Sequence, residues 1–130
     1  MIKKFQRKRE NGQTMAEFTL VLPVLAILLF GVIQFGIVFN NYLAVTDAVR
    51  AGARQGAVSR SSSNPSGAVV SRVRSSSGNL DQSKLQVSVS SSWKKGSDVT
   101  VSASYPFSIN LLGFVVKSGR ISSTTTERVE

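Results

Sequence analysis

Residues 18–39 read FTLVLPVLAILLFGVIQFGIVF, a run of 22 residues without a charge. As a helix rising about 1.5 Å per residue it spans roughly 33 Å, enough to cross a hydrocarbon core of about 30 Å. A secretory signal has a shorter apolar region, about 7–15 residues, followed closely by a small-residue cleavage site. Here the nearest such pattern, Ala51-Gly52-Ala53, begins 12 residues past Phe39. A chain of 130 residues is also too short to enclose such a helix on all sides. The run therefore predicts a single membrane span.

Charge orients it. Lys3, Lys4, Arg7, Lys8 and Arg9 precede the run, with Glu10 as the one anion among them. The 20 residues after Phe39 carry Arg50 and Arg54 against Asp47. Basic flanks stay on the cytoplasmic side, so the N-terminus is expected inside and the C-terminal part outside. The net charge of +9 also raises nucleic acid as a partner. A chain starting at Gln13 would keep 11 basic and 6 acidic side chains, a net +5. Topology thus accounts for much of the excess, and no nucleic-acid partner is expected.

Composition limits the chemistry. The chain has no Cys and no His, which removes disulfides, thiol chemistry and the commonest general base and metal ligand. The carboxylates after Glu17 are Asp47, Asp81, Asp98, Glu127 and Glu130, without metal-ligand spacing or an acid–base pair. Nothing marks out a Ser–Lys dyad among the many serines. No catalytic residue, metal, cofactor or small-molecule substrate is expected, so the chain reads as a non-enzyme.

The helix is expected to continue past the span. Residues 40–56 contain no proline and carry apolar or small residues at helical spacing. Ala44, Ala48, Gly52 and Gly56 stand four apart, a stripe that permits close backbone approach. Each glycine costs about 1 kcal/mol relative to Ala inside a helix, which favours a packing role over simple propensity. Within the span, Pro23 frees a carbonyl, and Gln34 would gain by bonding to another helix.

Beyond the helix, residues 59–67 are turn chemistry, and residues 68–74 suit a short amphipathic helix with Val69, Val70 and Val73 on one side. Leu85, Val87 and Val89 alternate with polar residues, as do Val99, Val101, Ala103 and Tyr105, predicting two half-buried strands. Lys94-Lys95-Gly96-Ser97-Asp98 suits the loop between them, and Pro106 is expected to end the second. Residues 107–116 are apolar and of open form, and residues 120–129 suit a third strand. A small sheet with one apolar face must cover it, and the short helix and the projecting half of the long helix are the available covers. The expected fold is α+β: a long N-terminal transmembrane helix projecting into a small domain with a short helix and a three-stranded antiparallel sheet. The expected organisation is a leader at 1–12, a long helix at 13–57 and a small extracytoplasmic domain at 58–130.

The junction at the start of the span carries a resemblance. A basic leader, Gly12, four uncharged residues, Glu17 and Phe18 and then an apolar run resemble the cleavage site of type IV prepilins. The resemblance implies cutting by a prepilin peptidase between Gly12 and Gln13. It also implies pairing of Glu17 with the new N-terminal amine of a neighbouring subunit, two charges that satisfy each other only in register. Gly12-Gln13-Thr14-Met15-Ala16-Glu17-Phe18, the Leu-Val-Leu-Pro-Val-Leu that opens the span, Phe35-Gly36 and Ala48-Val49-Arg50-Ala51-Gly52-Ala53-Arg54 are similar to the TadE-like family. These are minor pilins or pseudopilins of the tight-adherence (Tad/Flp) pilus system. The likeness covers residues 7–57 and is only architectural beyond them. It implies a pilin-like fold, a bacterial inner-membrane location, and other pilin subunits, an assembly ATPase and platform proteins as partners. It implies a role in pilus assembly, adhesion and biofilm formation. The alternative is an uncleaved single-pass protein whose outer domain binds an envelope or extracellular partner.

Overall fold

The computed structural model describes residues 2–130, with side chains from Arg9 onward. Met1 and the side chains of Lys3, Lys4, Arg7 and Lys8 in the leader lie outside the described residues. The order is α1 (Ile2–Ala57), α2 (Pro65–Ser76), β1 (Gln86–Ser91), β2 (Asp98–Leu111) and β3 (Phe114–Arg128). The strands form one antiparallel sheet in the order β1-β2-β3.

The 56 residues of α1 give a helix about 84 Å long. Its Arg9–Ala57 part is long and apolar enough to cross a membrane, and none of its apolar window is buried within the protein. It starts earlier than the Gln13 expected from the cleavage pattern. Residues 2–12 contain no proline and several good helix formers, so nothing local stops the helix there. Pro23 lies inside the helix.

Three contacts close the far end of α1. Val58 and Ser59 donate their N–H groups to the carbonyls of Gln55 and Gly56, at 3.3 and 3.2 Å. The N–H of Glu130 donates to the Ala57 carbonyl at 2.9 Å, so the segment after β3 seals the end of the helix.

The turn-rich segment then starts α2. Asn64 caps it by accepting the N–H of Gly67 at 3.0 Å, and Pro65 takes the first turn, where its missing N–H costs nothing. Val69 and Val73 form its buried side. Arg74 donates to the carbonyls of Gln82 at 3.0 Å and Leu85 at 3.5 Å, fixing the segment that leads into β1.

The core lies between the C-terminal third of α1, α2 and one sheet face. Val45, Ala48, Val49 and Ala53 of α1 meet Val69 and Val73 of α2, Val99, Val101 and Ala103 of β2, and Leu85 and Val129. Each fully buried valine contributes roughly 1.5–3 kcal/mol relative to exposure. The opposite sheet face is polar, with hydroxyl pairs Thr100–Thr126 at 3.1 Å and Ser102–Thr124 at 2.9 Å. The small helix and the projecting part of α1 are thus the covers of the apolar face.

The sheet differs from expectation beyond Ser104. β2 runs through Pro106 to Leu111, and β3 begins at Phe114 instead of Arg120. The apolar segment of residues 107–116 is therefore strand, turn and strand. Proline is tolerated because β1 pairs only as far as Ser104, so Pro106 sits where β2 has a free edge. Leu112 (φ 50°) and Gly113 (φ 90°) make the two-residue turn, and a register shift precedes it in β2 at Ile109/Asn110.

Candidate functional site

The residues singled out by sequence fall into three regions of α1: the junction at its N-terminal part, Gln34 within the apolar run, and the small-residue stripe near its C-terminal end. Gly12, Gln13 and Glu17 occupy the N-terminal region, on a continuous helix. All three are exposed. A Cβ built on Gly12 would meet none of the described residues within 4 Å. The amide of Gln13 donates to a carboxylate oxygen of Glu17 at 3.2 Å, the spacing of one helical turn. Thr14 and Thr19 return their hydroxyls to the carbonyls of Glu10 and Met15, at 2.9 and 2.8 Å. The segment presents a glycine backbone with no side-chain cover and a carboxylate one and a half turns on. Among the described residues, no side chain packs over this segment.

Gln34 lies inside the apolar run and is half-buried. By helical spacing it shares a face with Val38, Asn41 and Val45, and that face continues into the core. Val38 and Asn41 are also half-buried, whereas Val32 and Phe35 on other faces are 71% and 67% exposed.

The small-residue stripe meets partners within the same chain. Ala48 is fully buried, and Ala44 packs at the core's margin. A Cβ on Gly52 would collide with Val73 and would lie 3.5 Å from Val69 and 3.6 Å from Val101. One on Gly56 would lie 2.9 Å from Val99 and 3.2 Å from Val69. The stripe is where α2 and β2 rest on α1. It also sets direction: Gly56 faces Val99 and Gly52 faces Val101, so β2 runs back along α1 toward the apolar run.

Two features escaped sequence reasoning. The arm formed by β2 and β3 beyond Ser104 has no cover from β1. Its tip exposes Leu112, Phe114, Val115 and Val116. The signal was the apolar run at residues 107–116, but Pro106 and Gly113 obscured its pairing. The loop at Asp81 is the second. Its carboxylate accepts the hydroxyl of Ser83 at 2.6 Å and the N–H of Ser83 at 3.0 Å, which holds its pKa below the usual value, with Lys84 a smaller influence. The phenol of Tyr105 accepts the Asp81 N–H at 3.2 Å and ties this loop to β2.

Comparison with known proteins gives one match. Residues 12–54 match the TadE family, described as TadE-like protein. The matched segment runs from the junction glycine through the span to the small-residue stripe. It agrees with the family read from the motifs and points to a Tad pilus-associated protein. No curated protein and no solved structure matches the chain.

Proposed function

We propose that this chain, TadE-like over residues 12–54, is a minor pilin or pseudopilin that supports assembly of a Tad/Flp-type pilus, and through it adhesion and biofilm formation. The observation that carries the reading is the coincidence of that match with an exposed Gly12, a carboxylate at Glu17 and the apolar run behind them. α1 anchors the protein in the bacterial inner membrane with the leader inside. A prepilin peptidase cuts between Gly12 and Gln13, releasing a positively charged amine close to Glu17. Two opposite charges at the membrane mouth are poorly solvated alone and are stabilised by pairing across subunits, so cleavage licenses docking. Gln34 offers a second polar contact to a neighbouring span or to a platform protein. The small-residue stripe serves a different end, holding the C-terminal part close against α1. The role is structural, without catalysis, metal or cofactor.

The test is intact mass and N-terminal sequencing of the protein from membranes, with and without the peptidase. A chain beginning at Gln13 only when the peptidase is present supports the prepilin role. A chain that keeps residues 1–12 in both cases leaves an uncleaved single-pass protein whose outer part binds a partner. The continuity of α1 through Gly12 and Gln13 favours that second reading, since a peptidase must locally open a helix to reach the bond.

A further inference from the structure

We infer that the tip of the β2–β3 hairpin, residues 111–116, seats in the lipid interface where α1 leaves the membrane, forming a second attachment beside the span. This rests on reading α1 as membrane-spanning.

Reach comes first. β2 runs back along α1 from the Gly56–Val99 contact. From Val99 to Leu111 are 12 residues, roughly 40 Å of strand at about 3.3 Å each. From Gly56 back to Phe39 are 17 residues, roughly 26 Å of helix. An arm leaning from the helix axis by as much as about 45° still arrives at the level of Phe39. The face of α1 on this side stays half-buried through Asn41, Val38 and Gln34, while the other faces of the apolar run are exposed.

Chemistry comes second. A solvated hairpin alternates polar and apolar residues and closes on polar turn residues. This tip is apolar on both faces: Leu112, Phe114, Val115 and Val116 are 60–75% exposed. Leu112 holds φ 50°, a region a bulky side chain rarely adopts and where such turns favour Asn or Asp. A leucine there is unfavourable for the backbone and useful only if its side chain is covered. Lys117 follows at once, placed to meet lipid phosphates while its stem stays in the apolar layer. The hairpin satisfies its own ladder, but its outer edges remain open, which limits it to the interface and excludes the hydrocarbon centre. The exposed apolar surface of the tip thus reaches the level at which the apolar run of α1 begins, and lipid is its occupant.

The chain has no cysteine, so single labels are unambiguous. Leu112→Cys, Phe30→Cys and Lys95→Cys are each labelled with an environment-sensitive dye, and the full chain is reconstituted in phosphatidylcholine–phosphatidylglycerol vesicles. Quenching by aqueous iodide and by lipid-borne nitroxides is then read. The expected result is a several-fold smaller iodide slope at 112 than at 95, a blue-shifted emission, and strong quenching by nitroxides placed near the headgroups. Iodide access at 112 equal to that at 95, with 30 shielded, would overturn the hairpin's insertion and leave the span intact. Shielding at 112 without nitroxide quenching would overturn it in favour of a protein cover such as a second copy. Iodide access at 30 equal to that at 95 would remove the span, and this inference with it.

Discussion

Gly52 of α1 lies so close to Val73 of α2 that any side chain at position 52 would strike the valine's Cγ2. Val73 is fully buried and cannot swing aside without displacing its neighbours. Gly52→Ala should gain about 1 kcal/mol in helix propensity and lose about 1–3 kcal/mol to overpacking. The net outcome is destabilisation of up to about 2 kcal/mol. Gly56→Ala should cost less, because its nearest contact is 2.9 Å and a smaller adjustment relieves it. Thermal unfolding in detergent, followed by the single Trp93 beside the core, reads both. A Gly52→Ala variant more stable than the wild type would mean that α2 is not held by this contact.

Asp81 should carry a small pH signature. Its folded pKa lies below the usual value of 3.8 because Ser83 donates two hydrogen bonds to the carboxylate. A depressed folded pKa adds stability above the unfolded pKa and loses it as pH falls through the folded value. The window is therefore acidic, below about pH 4, and neutral pH is unaffected. Ser83→Ala should move the Asp81 carboxyl titration upward toward 3.8 in an NMR titration. An unmoved titration would show that the hydroxyl does not hold the carboxylate in solution.

The long helix, the short helix and the alternating strands were legible because each has its own periodicity. Residues 18–39 carry no charge and are apolar but for Thr19 and Gln34, Val69 and Val73 sit one turn apart, and Val99, Val101 and Ala103 alternate with hydroxyls. The stripe at Ala44, Ala48, Gly52 and Gly56 was legible as a close-packing face, but small residues do not encode what they meet. That α2 and β2 rest on it emerges only from the tertiary fold. The hairpin arm was missed for a local reason. Pro106 normally ends a strand, and here it lies past the last β1 partner, where no hydrogen bond is asked of it. The helical start at Ile2 was missed because the expected start at Gln13 followed a resemblance in residue order, which says nothing of backbone conformation. Gly12, Gln13 and Glu17 were singled out through the resemblance of their order along the chain to a prepilin cleavage site, and the fold itself gives them no contact that marks them.

Gly12 offers a clean separation of processing from folding. A Cβ there meets none of the described residues within 4 Å, and the core is formed by residues from Val45 onward. Gly12→Leu should leave insertion and unfolding unchanged or slightly favour the local helix, by about 1 kcal/mol at most. If the peptidase needs a small residue at the cut, mass spectrometry of membrane protein should show the uncut chain alone. Normal removal of residues 1–12 in this variant would exclude Gly12 as the recognition residue.

Glu17 is the sharper test of assembly. Among the described residues its carboxylate is engaged only by Gln13, an exposed contact across one helical turn. Such contacts contribute about 0.2–0.5 kcal/mol, so Glu17→Ala should leave thermal unfolding within error of the wild type. Cleavage should also proceed, because the substitution leaves Gly12 and Gln13 in place. If Glu17 pairs with the new amine of a neighbour, losing it leaves that amine uncompensated at the membrane mouth, and incorporation should collapse. Glu17→Asp keeps the charge but shortens its reach, and should recover part of the function; Glu17→Gln keeps the shape without the charge and should not. Quantifying surface pili alongside the fraction of cleaved subunit separates these effects. Full piliation by Glu17→Ala would reduce the carboxylate to an exposed helix-end charge with no partner in assembly.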